Sequence, residues 1–508
     1  MTAIGEALAR VPPLAAQHFL LAMTALALGL AISLPLGVWS ARSPAVARVA
    51  LGVASLVQTV PALALLALFF PLLLALNGLI GGVPALGFLP ALLALTLYAL
   101  LPILRNTVTG LNGIDPAVRE AADGIGMTGA QKLRLVDAPL ALPVVMAGVR
   151  TAAVWTIGAA TLSTTVGAPS LGDLIFAGLQ TQAWALVLAG CLGAATLALA
   201  VDALLGVAEL GAKRRRPWLT WGALAALMAA TLAASAPLWT RTDDRRVVVG
   251  AKNFSEQYIL ARLIGDRLTR AGYTVEYRDG LGSAVAFGAV ASGDVDVYVD
   301  YAGTLWASEM KRTDVPTRTE QVRQIAAWAK RTRGVGLLGS LGFENAYAFA
   351  MRPGGDIATL EQLVAASPRL ALGSDLEFLE RPEWAAVKRA YPLRFRSATP
   401  YSPTFMYRAL ASERADVITA FSSDGRIAAD RLTVLTDPRR AIPGYDAILL
   451  VAPDRTGDSH FTAALRPLLG RIPVTAMREA NYRVDRDTDK ETPEAAARWL
   501  ARRIGLSR

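Results

Sequence analysis

The sequence predicts a chain of two regimes, an all-α membrane bundle of about six helices followed by an α/β domain large enough for two lobes. Three observations carry this expectation. The 508 residues are 53% hydrophobic yet 18% charged, with a mean hydropathy of +0.39, which is too apolar for one soluble domain and too charged for a pure bundle. Apolar runs long enough to cross a bilayer crowd the first half, while most Asp, Glu, Lys and Arg follow Thr240. Beyond Thr240, short apolar runs alternate with helical patterns, the plan of an α/β layer fold.

The apolar runs fall at 14–38, 49–76, 86–104, 140–165, 183–210 and 218–238. Each is close to or above the ~20 residues that a helix needs to span the hydrocarbon core. Pro35, Pro61, Pro71 and Pro143 lie in or beside them, where packed membrane helices tolerate proline. Frequent Gly and Ala would let these helices approach closely. The connections differ in charge. Arg42 and Arg48 follow the first run, Arg105, Arg119, Lys132 and Arg134 the third, and Lys213 to Arg216 the fifth, whereas 77–85 is uncharged and 166–182 carries only Asp173. Basic connections face the cytoplasm. The N-terminus and everything after the sixth run are therefore expected outside it. The first run lacks a small-residue cleavage site, so a retained first helix is expected rather than a signal peptide. The sharpest basic cluster behind the net charge of +10 is Lys213–Arg216, directly before an apolar run, a topology signal and not a nucleic-acid patch.

After a polar linker at 240–245, a strand is expected over 246–252, a helix over 256–271 begun by Ser255, a strand over 274–277, a helix over 283–291 and a strand over 295–299. Asp294, Asp296 and Asp300 alternate, but the glycine-dependent loop of a calcium hand is absent. His18 in an apolar run and His460 in a loop cannot form a metal cluster with the lone Cys191. No Gly-x-Ser-x-Gly elbow is present, and hydrolytic chemistry is not expected.

The segment 119–150 is a polar, basic stretch between apolar runs, with Glu120, Ala121, Ala122 and Gly124 followed by Pro139. Small Ala121 and Ala122 allow close approach, Gly124 permits a tight turn between two short helices, and Pro139 would end the second. An amphipathic loop lying on the bilayer is the bland reading. The block resembles the coupling loop (119–139) of ATP-binding cassette import permeases. That resemblance implies a permease domain over 1–216 with 217–239 as its sixth helix, an ATPase docking at Glu120, Ala121, Ala122, Gly124 and Pro139, and a permease homodimer about a twofold axis. The chain has no phosphate-binding loop and no Gly-Lys dipeptide. ATP and Mg are thus expected on a separate partner chain, with no cofactor here.

Seven segments mark the second half: Lys-Asn-Phe-Ser-Glu-Gln-Tyr at 252–258, Gly-Leu-Gly-Ser at 280–283, Asp-Tyr-Ala-Gly-Thr at 300–304, Gly-Phe-Glu-Asn-Ala-Tyr at 342–347, Glu-Phe-Leu-Glu-Arg at 377–381, Ala-Phe-Ser-Ser-Asp-Gly-Arg-Ile at 420–427 and Asn-Tyr-Arg-Val-Asp at 481–485. In this order they resemble the receptors for glycine betaine, choline and carnitine of osmoprotectant importers. The resemblance implies a two-lobed, periplasmic-binding-protein-like domain over 246–508, one lobe from 246–348 and 449–508 and the other from 349–448. It implies a multi-pass protein of the bacterial inner membrane with this domain outside the cytoplasm. A trimethylammonium group offers no N–H donor and is held by aromatic faces. The resemblance places Tyr301, Tyr347, Phe421 and Tyr445 in that cage, Arg381 on a ligand carboxylate, and Thr304 with Gln257 or Lys252 as further donors. Arg381 could instead pair with Glu377 or Glu383. Phe421 replaces a more usual tyrosine, keeping the π face without the hydroxyl, which leaves carnitine or ergothioneine open beside glycine betaine and choline. An amino-acid importer of the same architecture and a membrane-anchored ligand sensor are the other readings; the sensor would need a cytoplasmic signalling domain, and none is seen after the sixth run.

Overall fold

The computed structural model describes residues 3–80, 83–181, 183–239, 245–375, 378–401, 403–486 and 488–506. Most of the expected linker, 240–244, and Glu377 lie outside them. The chain divides into two compact units, essentially Met1–Leu179 with Ala183–Thr242, and Asp243–Asp279 with Ser283–Arg508.

The first unit is helical. Among the described residues, Val11–Arg42, Phe88–Asn112, Gly129–Val166, Trp184–Lys213 and Pro217–Ala236 are long and apolar enough to cross a membrane. The second expected span is broken. Pro44–Thr59 and Ala62–Asn77 meet at a 100° bend, because Val60 before Pro61 is extended, φ −75° and ψ 125°, as proline's ring demands of its predecessor. Counting the bent pair as one span gives six.

Small residues set the helix spacing in this bundle. A Cβ on Gly37 would sit 2.5 Å from Thr107 Cγ2, and one on Gly148 would sit 2.6 Å from the Pro102 carbonyl oxygen. The Val11–Arg42 and Ala138–Ala160 helices therefore press backbone-close onto Phe88–Asn112, with Phe19, Leu26, Ile103, Val149 and Ile157 buried between them. His18 is satisfied, Nε2 on the Ile157 carbonyl at 2.8 Å and Nδ1 accepting from Leu171 N at 3.3 Å. Arg150 reaches Asp202 through two bonds of 2.8 and 2.7 Å and Glu209 at 3.3 Å. Charges on apolar helices are tolerated when paired in this way.

The second unit holds ten strands: β1 Arg246–Lys252, β2 Thr274–Leu281, β3 Val297–Tyr301, β4 Gly336–Glu344, β5 Tyr347–Met351, β6 Ala371–Ser374, β7 Ser397–Pro400, β8 Val417–Phe421, β9 Thr433–Leu435 and β10 Asp446–Val451. They form two five-stranded sheets, β2-β1-β3-β10-β4 and β7-β6-β8-β5-β9. The sheets are built alike. β1 and β3 run parallel, as do β6 with β7 and β8, while β10 and β5 insert antiparallel beside β3 and β8. β5 and β10 are the strands that carry the chain from one sheet to the other. The crossings fall between Glu344 and Tyr347 and between Leu435 and Asp446, a few residues before the boundaries expected at 348 and 449. β3 and β10 are buried along their whole length, as strands covered on both faces must be.

Local differences from the sequence reading have simple causes. The first helix of this unit is Ser255–Arg270 with Phe254 at its N-cap; Ser255 does not cap, because its hydroxyl donates to Asp485 Oδ1 at 2.5 Å. β3 starts two residues later than expected, so Asp294 and Asp296 precede it. Asp296 accepts from Val248 N at 2.7 Å and pairs with Arg455 at 2.7 Å. His460 lies in the Ser459–Leu465 helix, not a loop, and contacts the Tyr273 hydroxyl at 3.2 Å. No group of three metal-ligating side chains occurs among the described residues.

Close packing at Gly148 makes a direct prediction. Gly148→Val, which must displace the Pro102 carbonyl, should destabilise the detergent-solubilised protein by about 1–3 kcal/mol. Gly52→Val, where a Cβ meets nothing within 4 Å, should leave its thermal unfolding unchanged.

Candidate functional site

The second unit contains a cavity of about 240 Å³ lined from both sheets. Its position follows from topology: β1, β3, β6 and β8 end at Lys252, Tyr301, Ser374 and Phe421, and ligands of open α/β sheets bind outside the carboxyl ends of such strands. All seven sequence segments supply lining residues, among them Lys252, Ser283, Tyr301, Asn345, Arg381, Phe421 and Asp485.

One cluster of the lining is aromatic. Tyr347 opens β5 directly across from Phe421, the last residue of β8, and their ring centroids are 5.0 Å apart. Tyr445 stands edge-on to Tyr347 at 5.7 Å and an interplanar angle of 90°, and Phe378 supports Tyr347 from 4.7 Å. Gly303 makes room for this group, since a Cβ there would lie 2.4 Å from a Tyr445 ring carbon. The Asp-Tyr-Ala-Gly-Thr segment thus needs its glycine to seat a ring from a distant loop. Tyr301 stacks on Phe254 at 6.1 Å.

The charged residues are already engaged. Arg381 pairs with Glu383 at 3.1 Å and lies 5.6 Å from the Tyr347 ring. Of the two sequence alternatives, the Glu383 pair is present, and Tyr445 also donates its hydroxyl to Glu383. Lys252 is nearly fully buried in an ion pair with Asp300, whose other oxygen accepts from Tyr298 at 2.5 Å. Thr304 lines the cavity and Gln257 does not. Gln257 stands behind Tyr301, donating to its hydroxyl and to the Val299 carbonyl at 3.0 Å each, so it positions the ring.

The sequence reading missed the acidic and amide groups. Glu256 accepts from Tyr301, Asn345 and Asn481, and burial pushes its carboxyl above the ordinary value despite these bonds. Asp424 and Asp485 are raised too, both first by burial; the neighbouring Asp424 adds repulsion at Asp485, and together they push it up to about 7, against hydrogen bonding from Ser255 and the cations Arg426 and Lys490. A signal was available: Asn481 and Asp485 are four residues apart, hence on one face of the Val474–Asp485 helix. Gly425 lets the Asp424 turn sit flush on that helix, because a Cβ would lie 2.4 Å from the Arg478 carbonyl oxygen.

The 119–139 segment of the first unit is a helix over Pro116–Gly124, a one-turn helix over Gly129–Lys132 and a π-turn over Leu133–Asp137 leading into Ala138–Ala160. Asp115 caps the first and Thr128 with Gln131 forms a capping box on the second. Glu120, Ala121 and Gly124 are exposed and Ala122 is buried. The tight turn falls at Gly126, φ +77°, not at Gly124. Pro139 does not end a helix; it sits in the first turn of Ala138–Ala160, and the wider π-turn before it accommodates a residue without N–H. Arg119 fixes the segment by pairing with Asp137 at 3.1 Å and donating to the Leu111 carbonyl at 2.7 Å.

Two mirrored sheets with a ligand-sized cavity at their strand ends, on a chain that also carries a helical bundle, define a membrane permease joined to a solute-binding domain. Residues 245–502 match the substrate binding domain of ABC-type glycine betaine transport systems, and residues 33–214 match the inner membrane component of binding-protein-dependent transport systems. The chain belongs to this glycine betaine transport family, as an ABC importer permease fused to a betaine-type substrate-binding domain. It is 28% identical to the ergothioneine transport permease/ergothioneine binding protein of Helicobacter pylori (strain G27) over 90% of this chain and 83% of that one. It is 41% identical to the choline transport system permease protein of Bacillus subtilis (strain 168) over 38% of this chain and 84% of that one. A solved glycine betaine/carnitine/choline ABC transporter structure is 24% identical with a TM-score of 0.46, covering 52% of this chain and all of that one.

The acidic wall predicts a pH dependence. Asp485 ionises near 7 in the folded chain against an ordinary 3.8, so between these values the folded state holds the extra proton and stability falls as pH rises. The melting temperature of the full-length protein should decline from about pH 5 to about pH 8, and the decline should be shallower in Asp485→Asn. Identical slopes in the two proteins would assign the effect to another group.

Proposed function

We propose that the chain is the membrane-embedded permease and the receptor of an ABC importer for quaternary ammonium solutes. The observation that carries this reading is the convergence of Tyr347, Phe421 and Tyr445, with Tyr301 and Phe254, on one cavity. A permanent cation without N–H donors is stabilised by such π faces, by about 2 kcal/mol or more when desolvated. A ligand carboxylate would be met at Arg381, in competition with Glu383, with Thr304 and Lys252 beside it. The names of the relatives, which cite choline and ergothioneine, agree with a trimethylammonium cargo; the ergothioneine relative aligns across both halves of the chain, which makes ergothioneine the second reading.

In this reading the permease spans 1–239 and the receptor 246–508. The bent helix pair counts as one of six crossings, since only an even number keeps all three basic connections on one side, the cytoplasm. The receptor then lies outside the inner membrane, and the exposed Glu120 face is offered to a separate ATPase that supplies ATP and Mg chemistry. Two copies form the pore. Tethering the receptor replaces diffusional docking by an effective concentration of order mM.

Two measurements test this. Tyr347→Ala or Phe421→Ala should weaken calorimetric binding of the best trimethylammonium ligand to the full-length protein at least about tenfold; binding only of non-methylated amino acids would refute the cage. Glu120→Ala should impair uptake while leaving ligand affinity unchanged, and equal loss of both would argue against a coupling role.

A further inference from the structure

Within the quaternary ammonium reading, a second feature of the cavity bears on what else the ligand carries. Glu256 is 2% exposed and accepts from the Tyr301 hydroxyl at 2.6 Å, Asn345 Nδ2 at 3.2 Å and Asn481 Nδ2 at 2.8 Å. With the carboxyl oxygens accepting, both amides turn their nitrogens toward it. Their oxygens, Asn345 Oδ1 and Asn481 Oδ1, are left buried with no hydrogen-bond partner among the described residues. Both residues are more than nine-tenths buried, at 7% and 4% exposed, and both line the cavity. Buried acceptors in this condition are costly unless something donates to them.

The same wall carries Asp485, one turn beyond Asn481, and Asp424, next to Ser423, whose carbonyl accepts from Asn481 Nδ2 at 2.9 Å. The cavity's basic residues already have partners. Lys252 is held by Asp300 and Arg381 by Glu383, and the Arg426 guanidinium donates to the Asp485 main-chain carbonyl at 2.9 Å. Two amide oxygens on this wall thus stand without a donor among the described residues.

We propose that Glu256, Asn345, Asn481, Asp424 and Asp485 form an acceptor subsite that binds a hydroxyl or azole N–H on the arm of the ligand remote from its trimethylammonium group. The cargo is then a donor-bearing quaternary ammonium compound and not glycine betaine. Glycine betaine has no donor; its only other polar group is a carboxylate, which leaves the two amide oxygens unmet. A hydroxyl as in choline or carnitine and an azole N–H as in ergothioneine share the required chemistry.

Calorimetric titration of the full-length protein in detergent with glycine betaine, choline, carnitine and ergothioneine tests this, together with the O- or N-methylated form of whichever binds best. Glycine betaine and the methylated form, which keeps the cation and loses the donor, should each bind at least about tenfold more weakly than the best ligand. Which donor-bearing compound binds best separates the hydroxyl from the azole. At pH 8, above the value near 7 at which Asp485 ionises, the preference should shrink to within about threefold in Asp424→Asn and Asp485→Asn, where an amide brings a donor in the same shape. Should these variants not fold, the methylation pair on the unaltered chain decides alone. Glycine betaine binding as tightly as every donor-bearing ligand overturns the subsite and leaves the aromatic cage standing. Failure of all these compounds to bind overturns both.

Discussion

The buried carboxylate of Glu256 is the constraint on which the binding domain depends. A carboxyl removed from water must be met by hydrogen-bond partners, and leaving such a buried group unsatisfied costs about 1–3 kcal/mol. The donors come from separate parts of the chain: Tyr301 at the end of β3, Asn345 at the first crossing between sheets, and Asn481 on a C-terminal helix. Asn481 also reaches the Ser423 carbonyl at 2.9 Å, just past β8 of the second sheet. Satisfying one carboxylate therefore fixes Tyr301, holds the crossing that leads to Tyr347, and ties the two sheets at the cavity. The aromatic cluster and the acceptor wall are two consequences of the same node.

The sheet topology explains why the aromatic residues sit where they do. Tyr347 and Tyr445 flank the segments that pass between sheets, immediately at the start of β5 and immediately before β10. Residues at such crossings feel both lobes, so a ligand held by them has a way to favour one arrangement of the lobes over another through differential contacts. The membrane unit uses a different principle. There the close approaches come from Gly29, Gly37 and Gly148, since helices in lipid gain by packing rather than by escape from water.

Much of this was legible in the sequence because the periodicity was strong or the segment was polar in an unusual place. Five of the six apolar runs became single helices, and β1 matched its expected span. The second run, 49–76, is the exception, because the conformation that Pro61 imposes on Val60 breaks the helix there. The cavity-lining residues divide in the same way. Aromatics were found because cation–π chemistry names residue types in advance, and seven of the eight residues expected around the ligand line one cavity. Glu256, Asn345, Asp424 and Asn481 were passed over though they lie inside the quoted segments. Their role depends on which groups from remote segments meet, and that is a property of the fold. Gln257 and Pro139 erred for a related reason: one amide was taken by Tyr301 and Val299, and a π-turn absorbed the proline.

The central claim is that the cavity recognises a positive charge through aromatic faces and not simply a bulky apolar head. Competition between the best quaternary ammonium ligand and its neutral tert-butyl analogue, for choline 3,3-dimethyl-1-butanol, isolates that charge at constant shape. On the full-length protein the account predicts that the neutral analogue binds at least about thirtyfold more weakly, the equivalent of a desolvated cation–π contribution of about 2 kcal/mol. Equal affinities for the two compounds would contradict it.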